Sequence, residues 1–158
     1  MRIVSVLENQ AIEKRIAITP EIAKKYLSIG FEVVLPENYA KHLGIKDNTY
    51  TEVGVKISKD EKEIIKSADI IVQLGLLTDD KNSLIKENQT LIGVLDPYNN
   101  EAKIKDLSKK DINVFSLELL PRITRAQSMD ILSSQANLAG YKAVLESFAN
   151  FEKAIPMM

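Results

Sequence analysis

DIIVQLGLLTDDKNSLIKENQTLIGVL, residues 69–95, decides the fold. Two short runs within it, Asp69–Leu74 and Thr90–Leu95, are almost continuously apolar and rich in β-branched side chains. The polar stretch between them, Thr78–Glu87, reads as a helix. A strand that is apolar on both sides of its pleat must be covered on both faces, which is the condition of a parallel sheet between helices. The same alternation extends outward in both directions. Upstream, Ile3–Leu7, Phe31–Leu35 and Val55–Ile57 read as strands. Between them, Thr19-Pro20-Glu21 opens a helix with an N-cap threonine and a proline at its first position, and Gly30 closes it. Asp47 or Asn48 opens a short helix ending near Gly54, and Lys59–Ser67 is a charged helix. Downstream come a helix over Asn100–Lys110 and a strand over Ile112–Leu117. A long amphipathic helix is expected from about Thr124 to Lys153. The expected fold is α/β: a doubly wound, mostly parallel sheet sandwiched by helices, flavodoxin- or Rossmann-like, with a long C-terminal helix.

At 158 residues the chain fits one domain able to bury a sizeable core, and residues 1–158 are read as a single domain. Apolar residues make up 45% and charged residues 27%, a globular balance. The net charge of −1 and the scattering of lysines among acids carry no footprint for nucleic acid. The absence of cysteine excludes disulfides, thiolate metal sites and cysteine nucleophiles, and suits a reducing compartment. The N-terminal MRIVSVLENQ has no apolar core of a signal peptide, and no apolar run approaches the roughly 20 residues of a spanning helix. A soluble, cytoplasmic chain is the expectation.

In such sheets, ligands lie beyond the carboxyl ends of the strands. That rim includes Gln73-Leu74-Gly75, Asp96-Pro97-Tyr98 and Glu118–Arg122. The third of these runs directly into PRITRAQSMDILSSQANLAG, residues 121–140. At about 100° per residue, Gln127, Asp130, Ser133, Ser134 and Asn137 share one polar stripe, while Met129, Leu132, Ala136, Ala139 and Ala143 gather on another face. A largely buried helix is expected, with the stripe facing a polar neighbour or a ligand. Thr124 and Gln127 also fit a capping box, which leaves Gln127 open between a structural and a functional role. Arg122 and Asp130 are placed to pair across the turn.

Other chemistries find little support. The six glycines stand singly, with no G-x-G-x-x-G and no P-loop, so a dinucleotide or triphosphate site of the usual kind is absent. His42, the one histidine, reads as a surface or helix-end residue. Without paired acids at ligand spacing, no metal site is expected. Asp96 follows a strand as a phospho-accepting aspartate would, but the first strand leads into Glu8-Asn9-Gln10 rather than an acidic pair. Arg15 reads as a solvated loop arginine.

The segment PRITRAQSMDILSSQANLAGYKAV nevertheless resembles a signature of the nucleotide-binding subunit of proton-translocating NAD(P) transhydrogenase. More broadly, EKRIAITPEIAKKYLSIGFEV resembles the opening motif of the N-terminal domain shared by alanine dehydrogenase and the transhydrogenase alpha subunit. The closing FEKAIPMM is similar to the run leading into the next domain of those proteins. The resemblance implies hydride transfer between NAD(H) and NADP(H), Re/Si-specific and coupled to proton translocation. By it, Arg122, Gln127, Asp130 and Ser133 form the loop beside the nicotinamide of NAD(H): the Arg–Asp pair shapes the loop, Gln127 faces the second nucleotide and Ser133 contacts the nicotinamide end. It also implies an NAD-binding Rossmann domain that is not in this chain, NADP(H) on a partner subunit, membrane components and a homodimer. With them come a location peripheral to the inner membrane and an isolated chain that is inactive and binds NADH weakly or not at all. Hydride transfer needs aligned rings rather than a protein acid, base or metal, which agrees with this residue set. Within the family the alternative is an alanine dehydrogenase, whose substrate arginine Arg15 could match. Its rim lysine and histidine are missing, since Gln73 and Asp96 stand there. Outside enzymology, the alternative is a non-catalytic interaction module.

Overall fold

The computed structural model describes residues 1–154, so the last four residues of FEKAIPMM lie outside the described residues. The chain divides into two compact units, Met1–Ser116 and Leu117–Met158.

The first unit is a parallel sheet of six strands: β1 (Arg2–Val4), β2 (Glu32–Pro36), β3 (Lys56–Ser58), β4 (Ile70–Gln73), β5 (Thr90–Gly93) and β6 (Asn113–Ser116). Their order across the sheet is β3-β2-β1-β4-β5-β6. All neighbouring pairs run parallel, with Ile3 opposite Val33 and Ile70, and Ile71 opposite Leu91. Helices α1 (Pro20–Ser28), α2 (Asp47–Glu52), α3 (Glu61–Lys66), α4 (Asp79–Asn82) and α5 (Glu101–Ser108) lie between the strands in sequence. This is the α/β, Rossmann-like architecture expected from the alternation of apolar runs.

Local chemistry sets the helix ends. Thr19 caps α1 by accepting from the Ile22 amide at 3.3 Å, and Pro20 follows it, where no amide hydrogen is needed. Gly30 then takes φ +91°, a backbone angle that an L side chain rarely adopts. Asp60 caps α3 through the Lys62 and Glu63 amides. One expected helix is cut short: Thr78–Glu87 yields only the single turn of α4. There the Asn82 side chain turns back to donate to the Leu77 carbonyl, and Gln89 Oε1 accepts the Lys86 amide at 2.7 Å. Side chains that satisfy the backbone in this way compete with helix continuation.

The pleat sorts the core into two layers. Val4, Ile71 and Leu91 pack with Ile64 and Ile65 of α3 and Leu107 of α5. Ile3, Val33 and Leu35 pack with Ala23 of α1, Tyr39 and Tyr50. The two tyrosine rings meet edge to face, with centroids 6.0 Å apart.

The second unit holds 3₁₀ turns at Leu117–Leu119 and Thr124–Met129, followed by α6 (Ile131–Ala149). The long helix is present, but it starts seven residues later than expected. Asp130 interrupts it with an extended conformation, φ −72° and ψ 93°. From there its Oδ1 accepts the Ser133 amide at 3.0 Å. Asp130 is therefore the N-cap, and the capping box expected from Thr124 and Gln127 does not form. Gln127 and Asp130 lie outside the regular helix, so the single stripe running from Gln127 to Asn137 is broken at the cap. Nor is the helix buried: no residue of α6 is buried, and Leu138, Tyr141 and Phe148 stand 53–66% exposed.

Candidate functional site

In the first unit the strand order reverses at β1, because β2 and β3 extend to one side and β4 to β6 to the other. The carboxyl ends of β1 and β4 flank this switch point, where ligands of doubly wound sheets bind. A concavity of about 190 Å³ lies there, lined among others by Glu8, Glu13, Gln73, Gly75 and Lys81.

Most polar groups at this rim are committed to one another. Tyr39, 2% exposed, donates its hydroxyl to Ser5 Oγ at 2.8 Å, and the Ser5 hydroxyl donates to Gln73 Oε1 at 2.8 Å. Gln73 Oε1 also accepts the Val6 amide at 2.8 Å, and Gln73 Nε2 donates to Glu8 Oε1 at 3.1 Å. Glu8 Oε1 accepts the Leu74 amide as well, at 2.6 Å. Burial pushes the Glu8 carboxyl above the ordinary carboxylate range, while the Leu74 amide pulls the other way. Beside this network, Lys81 Nζ lies 2.9 Å from Glu61 Oε2 and donates to the Leu7 carbonyl, so it ties down the segment that follows β1. Arg15 is not simply solvated: Glu13 takes its Nε and Nη2 at 2.8 and 2.6 Å. His42 sits in a 3₁₀ turn, exposed, with Nε2 donating to the Lys14 carbonyl at 2.8 Å. Asp96 is an exposed turn residue with φ +46°, and its carboxylate accepts from Asn99.

No helix follows β1 directly. Fifteen residues separate Val4 from the α1 N-terminus at Pro20. Thr78, the N-cap of the short helix α4, lines the concavity instead.

The second unit carries a concavity of about 310 Å³, lined by Arg122, Ile123, Thr124, Ala126, Gln127 and Asp130. Ala126 in the 3₁₀ turn is buried, 5% exposed, while Arg122 and Gln127 are exposed. Three of the four residues singled out from the sequence thus line one wall, and the fourth is tied to it. Ser133 donates its hydroxyl to Asp130 Oδ2 at 2.7 Å, beside its amide on Oδ1. These two bonds, the amide first, hold the Asp130 carboxyl below the ordinary range. Arg122 adds a weaker Coulombic contribution, but the ion pair expected between Arg122 and Asp130 does not form. Neither the Arg122 guanidinium nor the Gln127 amide makes a hydrogen bond or ion pair among the described residues. The site thus offers a cation, an amide and a polar cap, a set suited to gripping a polar ligand.

A model of the alanine dehydrogenase/PNT N-terminal domain matches residues 6–139. The chain belongs to that family. Among curated members, an NAD(P) transhydrogenase alpha-subunit chain of Rickettsia prowazekii is 43% identical over the whole of this chain, which spans 42% of that relative. The solved transhydrogenase of Sinorhizobium meliloti superposes with a TM-score of 0.89 at 38% identity, over 99% of this chain and 47% of that one. The alanine dehydrogenase of Methanococcus maripaludis is more distant, 25% identical over 84% of this chain and 35% of its own length. This member of the family therefore spans less than half the length of the curated transhydrogenase relatives it matches. Among the described residues no helix is long and apolar enough to cross a membrane, and no cluster of acids or histidines could hold a metal ion.

The residues that sequence reading missed at the rim are the buried Ser5 and Tyr39. Ser5 follows β1 in the apolar run Ile3–Leu7, and a polar side chain within such a run signals a buried partner.

Proposed function

We propose that these 158 residues are the first domain of the nucleotide-binding alpha subunit of a proton-translocating NAD(P) transhydrogenase. An NAD-binding Rossmann domain would follow in the complete subunit. In this reading the subunit binds NAD(H), NADP(H) sits on a partner subunit, and a membrane component couples Re/Si-specific hydride transfer to proton movement. The assembly lies in the cytoplasm against the inner membrane. The observation that carries the reading is the loop from Arg122 to Ser133, with a guanidinium and an amide left unbonded beside a capped turn, in a chain that matches transhydrogenase alpha subunits along its whole length.

The nicotinamide nucleotide supplies the hydride chemistry when bound. What this chain contributes is position. The Asp130–Ser133 cap fixes the start of α6 and with it the turn that carries Gln127. The Gln127 amide can donate to and accept from a carboxamide or ribose, and Arg122 can meet an anionic or carbonyl oxygen. Holding two rings in reacting alignment supplies most of the rate in such a transfer, so no general base is required. The exposed apolar side chains of α6 favour a covered setting in the assembly, either the following domain or a second subunit in a homodimer.

The alanine dehydrogenase alternative is less well supported, because Gln73 is committed to the buried network and Arg15 to Glu13. A non-catalytic module would not need the unbonded pair Arg122 and Gln127. The deciding experiment extends the chain to the full length of its relatives, adds the NADP-binding partner and measures hydride transfer from NADH to an NADP analogue. A drop in kcat of about 10-fold or more is expected for Gln127→Asn, since a misplacement on the ångström scale costs that much. Wild-type rates in that variant would overturn the site assignment. Turnover of alanine with NAD would move the protein to the other branch. The 158-residue chain alone is expected to bind NADH weakly or not at all by calorimetry, because it has no phosphate-cradling loop.

A further inference from the structure

The fifteen residues between β1 and α1 form a strap beside the rim concavity, and both ends of it are pinned. At one end the Leu7 amide donates to Glu61 Oε1 at 3.0 Å and the Leu7 carbonyl accepts from Lys81. At the other, the Ala17 and Ile18 amides donate to the buried Tyr39 hydroxyl at 3.1 and 3.2 Å, and the Tyr50 hydroxyl donates to the Ile18 carbonyl at 2.9 Å. The middle carries a set of bonds of its own. The Asn9 carbonyl accepts the Ile12 and Glu13 amides at 2.9 and 2.8 Å, and Asn9 Oδ1 accepts the Ala11 amide at 3.1 Å. The Glu13 carboxylate accepts the Arg15 amide at 2.8 Å. Residues 9–15 are therefore a pre-folded turn carried on two anchored ends. All of them but Glu13 are exposed, Ile12 to 84%.

His42 holds this turn at two points. Its Nε2 donates to the Lys14 carbonyl at 2.8 Å, and Gln10 Nε2 donates to its Nδ1 at 3.2 Å. One neutral tautomer, protonated on Nε2, serves both contacts. His42 lies in the 3₁₀ turn Lys41–Leu43, which follows β2. The far wall of the concavity, from Gln73 to Lys81, instead joins β4 to α4. Because β2 and β4 flank β1 on opposite sides, His42 holds the turn on the side away from that wall. An apolar side chain as exposed as Ile12 gains nothing in this position, whereas movement towards β4 would carry it onto Leu76 and Leu77 across the concavity. We propose that residues 9–15 are a lid for the rim concavity and that His42 is the latch that keeps it open. On release, the turn swings from the β2 side to the β4 side and Ile12 closes on the far wall. Closure of this kind takes water away from the groups beneath, here the Glu8 carboxyl. The proposal goes beyond the nucleotide reading of the Arg122–Ser133 loop, and each can fail without the other.

The chain contains no cysteine, so a pair of introduced thiols reports one approach. Ile12→Cys places a thiol on the lid and Thr78→Cys places one on the exposed part of the far wall. The rate of disulfide formation under a mild oxidant is measured in the 158-residue chain with His42 intact and with His42→Ala. Ser67→Cys with Lys86→Cys, which line one concavity elsewhere in the first unit, is the control pair. His42→Ala is expected to speed the lid pair about fivefold or more, the factor for roughly one net hydrogen bond. The control pair and the unfolding midpoint should stay as in the parent. Equal rates at the lid pair with and without His42 would overturn the latch. Equal acceleration of both pairs would overturn it too, by showing a general loosening of the unit. Trypsin, which cuts after Lys14 and Arg15, separates closing from fraying. Faster cleavage there in His42→Ala with no gain in crosslinking would mean that the turn comes loose without closing, and the lid would be overturned.

Discussion

The rim of the first unit and the loop of the second hold similar inventories of polar side chains and use them in opposite ways. At the rim, Tyr39, Ser5, Gln73 and Glu8 pass hydrogen bonds from one to the next, and Lys81 and Arg15 are each held by a glutamate. In the loop, the Asp130 carboxylate accepts the Ser133 hydroxyl and amide at the helix start, while the Arg122 and Gln127 side chains make no hydrogen bond or ion pair among the described residues. A polar group buried without a partner costs about 1–3 kcal/mol, so the buried rim must be self-satisfied. The exposed loop incurs no such penalty and can reserve its donors for a ligand. Sequence alone placed Gln73 at the rim and Arg122, Gln127, Asp130 and Ser133 in the loop, and the distribution of partners is what separates the two regions.

The largest effect should therefore come from breaking the rim. Gln73→Ala strands the Ser5 hydroxyl, the Val6 amide and the buried side of Glu8 together. A loss of about 2–4 kcal/mol in denaturant unfolding of the chain is expected. Gly93→Ala should be comparable, because a Cβ at residue 93 would lie 2.4 Å from the Gln73 carbonyl oxygen, a backbone atom that cannot swing away. If either variant unfolds at the parent midpoint, the rim is not the keystone that its partners imply.

Next comes the cap of α6. Asp130→Ala removes the side chain that accepts both Ser133 bonds. Amide exchange in the first turn of α6 should rise about fivefold, the usual factor for a lost N-cap, with the strands of the first unit unaffected. The same cap has a pH signature. Because the folded carboxyl titrates below its unfolded value, its contribution is present above the unfolded value and is lost as pH falls through the folded one. First-turn protection should thus weaken in acid in the parent and show no such step in Asp130→Ala.

Glu8 carries the opposite sign. Its carboxyl is raised by burial, so ionisation costs more in the folded chain than in the unfolded one. Stability is full below the unfolded value and declines as pH rises through the folded value. Glu8→Gln keeps an oxygen for the Leu74 amide and removes the charge. It should match the parent near pH 4 and exceed its Tm by about 1–2 °C near pH 7. A variant with a lower Tm at neutral pH would show that the carboxylate's attractions to Lys81 and Arg15 outweigh its burial.

Much of the first unit was legible because its signals are local and strong. The β-branched runs at Ile70–Gln73 and Thr90–Gly93 and the Thr19-Pro20 helix start each lie close to where the sequence placed them. What misled was competition between side chains for the same backbone. Thr124 and Gln127 have capping-box spacing, but Asp130 has Ser133 three residues on and takes the cap, which splits one expected helix into a 3₁₀ turn and α6. Asn82 and Gln89 end α4 in the same way. Helical periodicity could not tell a buried helix from one whose apolar side chains await a partner, because both place apolar residues on a helix. The four loop residues were nameable by resemblance, whereas the Ser5–Gln73–Glu8 network joins positions 68 and 65 residues apart and has no local signature.

The smallest effect sharpens the contrast most. Gln127→Ala removes a side chain that forms no hydrogen bond within the described residues and is exposed at the concavity wall. Surface substitutions of this kind stay within about 0.5 kcal/mol of the parent, so the unfolding midpoint of the chain should not move. At the rim, losing a glutamine side chain costs stability because its bonds are already made. At the loop, the same loss should register only when a nucleotide and the rest of the enzyme are present, since the bonds it removes form only then. A Gln127→Ala chain that unfolds as readily as Gln73→Ala would mean that the amide is committed to the fold after all. The loop would then have no donor in reserve, and the distinction between the two regions would collapse.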